Sequence, residues 1–408
     1  MVLKKSVSIG MLREGKKPFD KRTPFSPKQI VRILNQYPEW SFYFQPSLFR
    51  CFSDEEYVQA GATLSENLDH CDYIFGIKEV PIEMLQPDKN YFFFSHTIKL
   101  QPHNQTMFKR LIELGATLYD YEVIVNESGE RLVAFGQFAG IVGAYNALRM
   151  IAKTWLNKTL PAASETVGLD EIYAIIGNEN WPSISAVVTG SGRVGNGIRH
   201  MLEKAQFIEV KPDKLLNQKT TSPRFTMLRS SDYHEHKSNK TWDSSHFYIH
   251  PEEYISTFEK FTKVADVFIA GAYWNPKAPK LFSFDSLKNS DFNIRVISDV
   301  TCDMDGSVPT TIRPSSIDNP FYDVDKRGME HPAFSGNHHV HVCAVDNLPT
   351  ELPADASEAF GEQLIQHVLP ELGNPGALLE RSAILKQGEL SPRFSYMRAY
   401  GLNRSAMA

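Results

Sequence analysis

The segment ISAVVTGSGRVGNGIRHMLEKA constrains this chain more than any other. A β-favouring apolar run meets glycines at Gly190, Gly192 and Gly195, with Gly197 just beyond, and then a run suited to a helix. In such a strand–turn–helix unit the first glycine permits the tight turn and the second lets a pyrophosphate approach the backbone. The third lets helix and sheet pack closely. Arg193 and Val194 stand at the start of the helix, whose unpaired amides favour an anion. The pattern therefore predicts a dinucleotide site. An acid roughly 20 residues onward is expected to hold the ribose, and Glu209 in FIEV stands there. A carboxylate there repels a 2′-phosphate, which favours NAD. Lys211, Lys214, Arg224 and Arg229 are close enough in sequence to build a cationic pocket, so the choice between NAD and NADP stays open.

Strand and helix signals alternate upstream as well. SVSIGML, WSFYFQ, CDYIFGIK, NYFFFSH and ATLYDYEVI read as strands, while PFSPKQIVRILNQY, DEEYVQAGATL and NQTMFKRLIELG carry helical spacing. This order predicts an α/β fold with a mostly parallel sheet. GQFAGIVGAYNALRMIAKTWL reads as a long connecting helix, 157–182 as a polar surface bridge, and 214–260 as an irregular insertion until PEEYISTFEKFTKVA. Two further core strands follow in ADVFIAGAY and FNIRVISDV, then HHVHVCAVDNLP, and the tail through ALLERSAIL reads as helical. A chain of 408 residues is long enough for two domains.

Charge narrows the partners. Lys and Arg number 43 against 48 Asp and Glu, a formal net charge of −5, so neither nucleic acid nor an anionic membrane is an expected partner. Small anionic substrates remain compatible with a locally positive cleft. Cys51, Cys71, Cys302 and Cys343 are too scattered for a Cys-x-x-Cys element. No signal-peptide pattern opens the sequence, and no apolar run approaches the ~20 residues of a membrane helix, so a cytoplasmic protein is expected.

Lys78 and His96 each end an apolar strand, the place where parallel-sheet enzymes form their crevice. A lysine tuned by its surroundings and a histidine both suit proton transfer near neutral pH. Glu79 and Glu122 are candidate partners that tune Lys78, and the loop arginines Arg22 and Arg131 are suited to grip carboxylates. Downstream, SDVTCDMDG delivers Asp299, Thr301, Asp303 and Asp305 to the edge that carries the glycine turn. No metal is expected. The acids lack the pattern of a calcium loop, and His339, His341 and Cys343 read as core or crevice lining.

Taken together, KKPFDKRTPFSP, GIKEVP, SHTIKLQ, GERLVAFGQFAG, VVTGSGRVGNG, ADVFIAGAYWNPKAPKLF, SDVTCDMDGSV and VCAVDNLPTELPADASEAFG carry a resemblance over nearly the whole chain. It resembles the lysine-forming saccharopine dehydrogenases and the lysine–ketoglutarate reductase portion of the aminoadipic semialdehyde synthases, relatives of alanine dehydrogenase. The resemblance implies two Rossmann-like domains separated by an active-site cleft. Residues 1–140 with 350–408 would bind substrate, and 141–349 would bind the dinucleotide. It also implies reversible oxidation of saccharopine to L-lysine and 2-oxoglutarate. Lys78 and His96 would transfer protons, Glu122 would tune the lysine, and Arg22, Lys99, Arg131 and Phe135 would line the substrate site. Asp303 would stand near the nicotinamide, with Asp299 starting the same loop. Fungal members of this group use NAD and the reductase portion uses NADPH. Another amino-acid or opine-type dehydrogenase, and a noncatalytic nucleotide sensor, remain alternatives.

Overall fold

The computed structural model describes residues 6–15, 17 and 20–402. The chain divides into two compact units, 1–135 with 353–408, and 136–352.

In the first unit, eight strands form one sheet in the order Glu389–Leu390, Ala383–Lys386, Thr117–Asp120, Asn90–Phe93, Tyr73–Phe75, Ser8–Met11, Ser41–Phe44, Thr63–Leu64. The six strands from the N-terminal part of the chain are parallel, and the two C-terminal ones are antiparallel additions. Among those six, the chain builds outward from Ser8–Met11 on one side, then returns to its other flank with Tyr73–Phe75. That reversal is a topological switch point, where open α/β sheets place ligands beyond the strands' carboxyl ends. The interior is aromatic, with Phe75 stacked on Phe92 at 4.5 Å and Phe92 on Tyr119 at 4.5 Å.

Local signals explain the helices. Ser26 caps Pro27–Gln36 in a capping box with Gln29, with proline in the first turn, on the segment whose spacing reads as helical. Gln29 also donates through Nε2 to the Glu358 carbonyl at 2.7 Å, joining this helix to Pro353–His367. The ALLERSAIL segment departs from its all-helical expectation. It is helical over Ala377–Ser382 and then becomes the strand Ala383–Lys386, because Ala383, Ile384 and Leu385 are buried against the sheet rather than along one helical face.

The second unit holds another eight-stranded sheet, ordered Glu330–His331, Phe321–Val324, Val340–Cys343, Val296–Asp299, Val267–Ala270, Ser185–Thr189, Arg224–Leu228, Ile208–Glu209. It is parallel except for the first two strands. FIEV supplies only a two-residue edge strand, and the neighbour of Ser185–Thr189 is Arg224–Leu228, drawn from the stretch expected to be irregular. Its flanking charges conceal a strand whose Phe225 and Leu228 are buried. The polar 157–182 bridge contains the helix Leu169–Gly177, with Ile172 and Ile176 buried four residues apart on one face. Among the described residues, no helix is long and apolar enough to cross a membrane.

Candidate functional site

Four adjacent parallel strands of the first unit end at the same edge, and each is followed by a charged or titratable side chain. Ser8–Met11 leads to Glu14, Tyr73–Phe75 to Lys78, Asn90–Phe93 to His96, and Thr117–Asp120 to Glu122. Backbone bonds carry the register past the strands: Leu12 donates to Phe75, and Phe94 to Ile77 at 3.0 Å. This places the acids, lysine and histidine along one rim.

Glu14, which sequence reasoning missed, stands at the switch point. Its carboxylate accepts from the Ile77 amide at 2.7 Å and the Lys78 amide at 2.9 Å, fixing the lysine's backbone. Burial pushes its pKa up to about 7, helped by the charge of Asp20, while the two amides and Arg22 pull the other way. A carboxyl directly after a strand ending at a sheet's carboxyl edge was the available signal. The folded protein thus holds this proton to about pH 7, whereas an exposed glutamate releases it near 4.5. Stability from this group is present at acid pH and declines as pH rises across that window, by about 3 kcal/mol. Thermal unfolding of Glu14→Gln against wild type from pH 4 to 8 is expected to show a flatter profile in the variant.

Asp20 and Arg22 are both buried and paired, Nε to Oδ1 at 2.9 Å and Nη2 to Oδ2 at 2.6 Å. Burial opposes ionisation of Asp20, but the guanidinium and the charge of Lys78 hold its pKa below the ordinary value. The Arg22 guanidinium also lies 4.1 Å over the Phe135 ring, which stacks on Phe360 at 4.3 Å. Arg22 is therefore a buried cation already paired with Asp20, where the sequence reading has a loop arginine suited to grip carboxylates.

His96 has a left-handed backbone, φ 52°, held because the buried Asp120 carboxylate accepts from its amide at 3.1 Å and from the Ser95 amide at 2.9 Å. Its Nδ1 lies 3.2 Å from Glu122 Oε2, while Lys99 Nζ and Arg131 Nη2 reach Oε1 at 3.2 and 3.4 Å. Burial alone would raise the Glu122 pKa. The His96 bond and the charges of Lys99 and Arg131 reverse this and bring it down to about 2. These contacts tie Glu122 to His96, Lys99 and Arg131, while the charge of Lys78 helps to lower the pKa of Asp20.

In the second unit the glycine turn fits a pyrophosphate. Gly190 has φ +98° and lies so close to Gly271 that a Cβ would sit 2.8 Å from its backbone, whereas a Cβ on Gly192 would meet nothing within 4 Å. Gly192 caps the twelve-residue helix Arg193–Lys204, with Arg193 and Val194 in its first turn. A Cβ at Gly195 would fall 2.0 Å from the Gly190 carbonyl oxygen. Gly195→Ala is therefore expected to lose dinucleotide binding and at least about 1–3 kcal/mol of stability, measured by titration with NADPH and by urea unfolding.

Glu209 lies on the outermost strand, where Arg199 holds its carboxylate at 3.0 Å. The strand beside the glycine strand ends instead at Leu228, followed by Arg229. Arg229 shares a groove with Ser191, Lys211 and Ser231, together with Glu209 and Asp232. Asp299 is buried and accepts from the Thr301 hydroxyl at 2.7 Å and the Thr311 hydroxyl at 2.6 Å. These bonds brace the loop that Asp299 starts, and Asp303 lies exposed within that loop. Of the histidines and cysteine expected to line the core or crevice, His341 is buried with Nδ1 2.6 Å from Asp323 Oδ1, and Cys343 is buried in the sheet.

Comparison with known proteins agrees with this architecture. Residues 10–142 match the model for the alanine dehydrogenase/PNT N-terminal domain, and 186–390 match the corresponding C-terminal domain. The chain is 29% identical to an alpha-aminoadipic semialdehyde synthase of Arabidopsis thaliana, over 95% of this chain and 41% of that protein. It is 26% identical to the mitochondrial synthase of Bos taurus, over 97% of this chain and 48% of the other. The chain thus spans less than half the length of these relatives. A saccharopine dehydrogenase [NAD(+), L-lysine-forming] of Yarrowia lipolytica is 26% identical over 88% of this chain and 90% of its own length. A solved L-alanine dehydrogenase matches the fold with TM-score 0.64 at 18% identity, over 95% of this chain and 98% of that one. With both domain models matched in order on two parallel-rich α/β sheets, the chain belongs to the alanine dehydrogenase/PNT family.

Proposed function

We propose that this protein interconverts saccharopine, NAD(P)+ and water with L-lysine, 2-oxoglutarate, NAD(P)H and a proton. The observation that carries the reading is the rim where Glu14, Lys78, His96 and Glu122 succeed one another on four adjacent strands, with Lys99 and Arg131 converging on Glu122. The names of the synthase and saccharopine dehydrogenase relatives support it. The bound nicotinamide supplies hydride acceptance or donation. Lys78 accepts the proton of the secondary amine. His96 activates water for attack on the imine and moves protons as the carbinolamine collapses, with Glu122 on Nδ1 leaving Nε2 to exchange them. Lys99 and Arg131 bind the oxoacid carboxylates, and Arg22 supplies positive potential from behind.

In the cofactor, the adenosine end favours NADP(H). Glu209 is neutralised by Arg199, and Asp232 accepts from the Arg229 amide at 2.7 Å, so both acids of the groove are engaged beside Arg229 and Lys211. Such a groove suits a 2′-phosphate better than a bare ribose diol. Gly190, Gly192 and Gly195 would cradle the pyrophosphate, with Asp303 at the nicotinamide side. The test is oxidation of NADPH and of NADH, each with lysine plus 2-oxoglutarate and with ammonia plus pyruvate. Turnover requiring lysine and 2-oxoglutarate together is expected. Turnover with ammonia and pyruvate alone points to an alanine-type dehydrogenase, and nucleotide binding without turnover overturns the enzymatic reading.

A further inference from the structure

A second group of ligating side chains lies in the second unit, on the excursion between Arg224–Leu228 and Val267–Ala270. Here the three-residue strands His234–His236 and Tyr254–Ser256 pair antiparallel, and the short helix Ser244–Ile249 lies between them in sequence. His236, His246 and Glu253 bring their donor atoms within 4.8 Å of one another. His236 Nε2 is 3.2 Å from Glu253 Oε2, and His246 Nε2 is 3.9 Å from the same oxygen.

We infer that His236, His246 and Glu253 form a binding site for a zinc-class divalent cation. Three features carry the inference. Ligands around tetrahedral zinc at ~2.0–2.1 Å stand about 3.4 Å apart, and the two separations from Glu253 bracket that value. At 3.9 Å, His246 Nε2 is beyond hydrogen-bond reach of Glu253, so a hydrogen bond does not explain why it points there. Its other nitrogen, Nδ1, lies 3.2 Å from the Tyr254 hydroxyl, whose oxygen can accept a hydrogen bond from Nδ1–H and so leave the Nε2 lone pair for a metal.

His236 is buried, and its Nδ1 accepts from the Ser238 amide at 3.0 Å. In the metal-free form its proton therefore sits on Nε2, toward Glu253. Metal binding at Nε2 moves that proton to Nδ1 and displaces the Ser238 amide, so loading the site loosens one backbone bond. Two histidines and one carboxylate leave a fourth position to water. The cation would clamp two three-residue strands and a six-residue helix that bury few aliphatic side chains of their own.

The test uses the full, untagged chain stripped with chelator and titrated with Zn2+ and with Co2+, read by calorimetry, metal content after desalting and visible absorption. One equivalent of zinc per chain and a four-coordinate Co2+ spectrum are expected, together with faster hydrogen exchange at the Ser238 amide. His246→Asn, whose side chain is about one-third exposed, should weaken affinity at least tenfold. Glu253→Gln serves as the second variant if the first does not fold. His103→Gln, remote in sequence and exposed, should bind as wild type does. Absence of stoichiometric binding in wild type, or equal affinity in the folded variant, overturns the site.

Discussion

Replacing Lys78 with Met is expected to lower kcat by about 10²–10⁴-fold at saturating lysine, 2-oxoglutarate and NADPH, the usual contribution of a positioned acid–base group. Methionine keeps an unbranched side chain but holds no proton, so the loss reports proton transfer more than packing. The geometry behind this is the backbone anchor: Glu14 holds the Lys78 amide at 2.9 Å, and Asp20 senses the lysine's charge from beside Arg22. Dinucleotide affinity should be nearly unchanged, because the glycine turn and the Arg229 groove carry the proposed contacts to the dinucleotide. Partial recovery of turnover by added small primary amines would identify the missing function as proton transfer. Unchanged kcat in the variant removes Lys78 from the proposed chemistry.

Arg229→Ala is expected to reduce kcat/KM for NADPH while leaving that for NADH nearly constant. A charge-assisted pair is worth about 1.5–3 kcal/mol, equivalent to roughly 10–150-fold. The expectation rests on topology. Because Arg224–Leu228 pairs directly with the glycine strand, the residue after it occupies the place from which α/β nucleotide domains read the ribose. Glu209 is one strand further out and paired with Arg199. Steady-state kinetics with both cofactors checks the outcome, and an equal loss with NADH and NADPH refutes a 2′-phosphate contact. The complementary variant Glu209→Gln should alter NADH use little, since its carboxylate is already neutralised.

Much of the site was legible because a parallel sheet gathers the residues just past its strands at one carboxyl edge. Lys78, His96 and Glu122 were visible as polar residues at the ends of apolar runs. Glu14 and Asp20 were not, since each is an ordinary acid in a charged loop until burial and the neighbouring strand give it a partner. Pairing was also beyond reach. A carboxylate has several cations nearby in sequence, and only the folded chain brings His96, Lys99 and Arg131 to Glu122.

The periodicity and the glycine spacing by themselves determined the fold class, the dinucleotide turn and the rim of candidate groups, because those depend on local backbone preference and on which faces must be buried. Tertiary structure alone decided strand adjacency, which sets Arg229 just past the strand beside the glycine strand and Glu209 on the strand outside it. Two short apolar runs, FIEV and RFTML, compete for the place beside the glycine strand, and local sequence does not rank them. The outcome depends on which run can be buried on both faces, and Arg224–Leu228 offers Phe225 and Leu228 to the interior while Ile208 stays exposed.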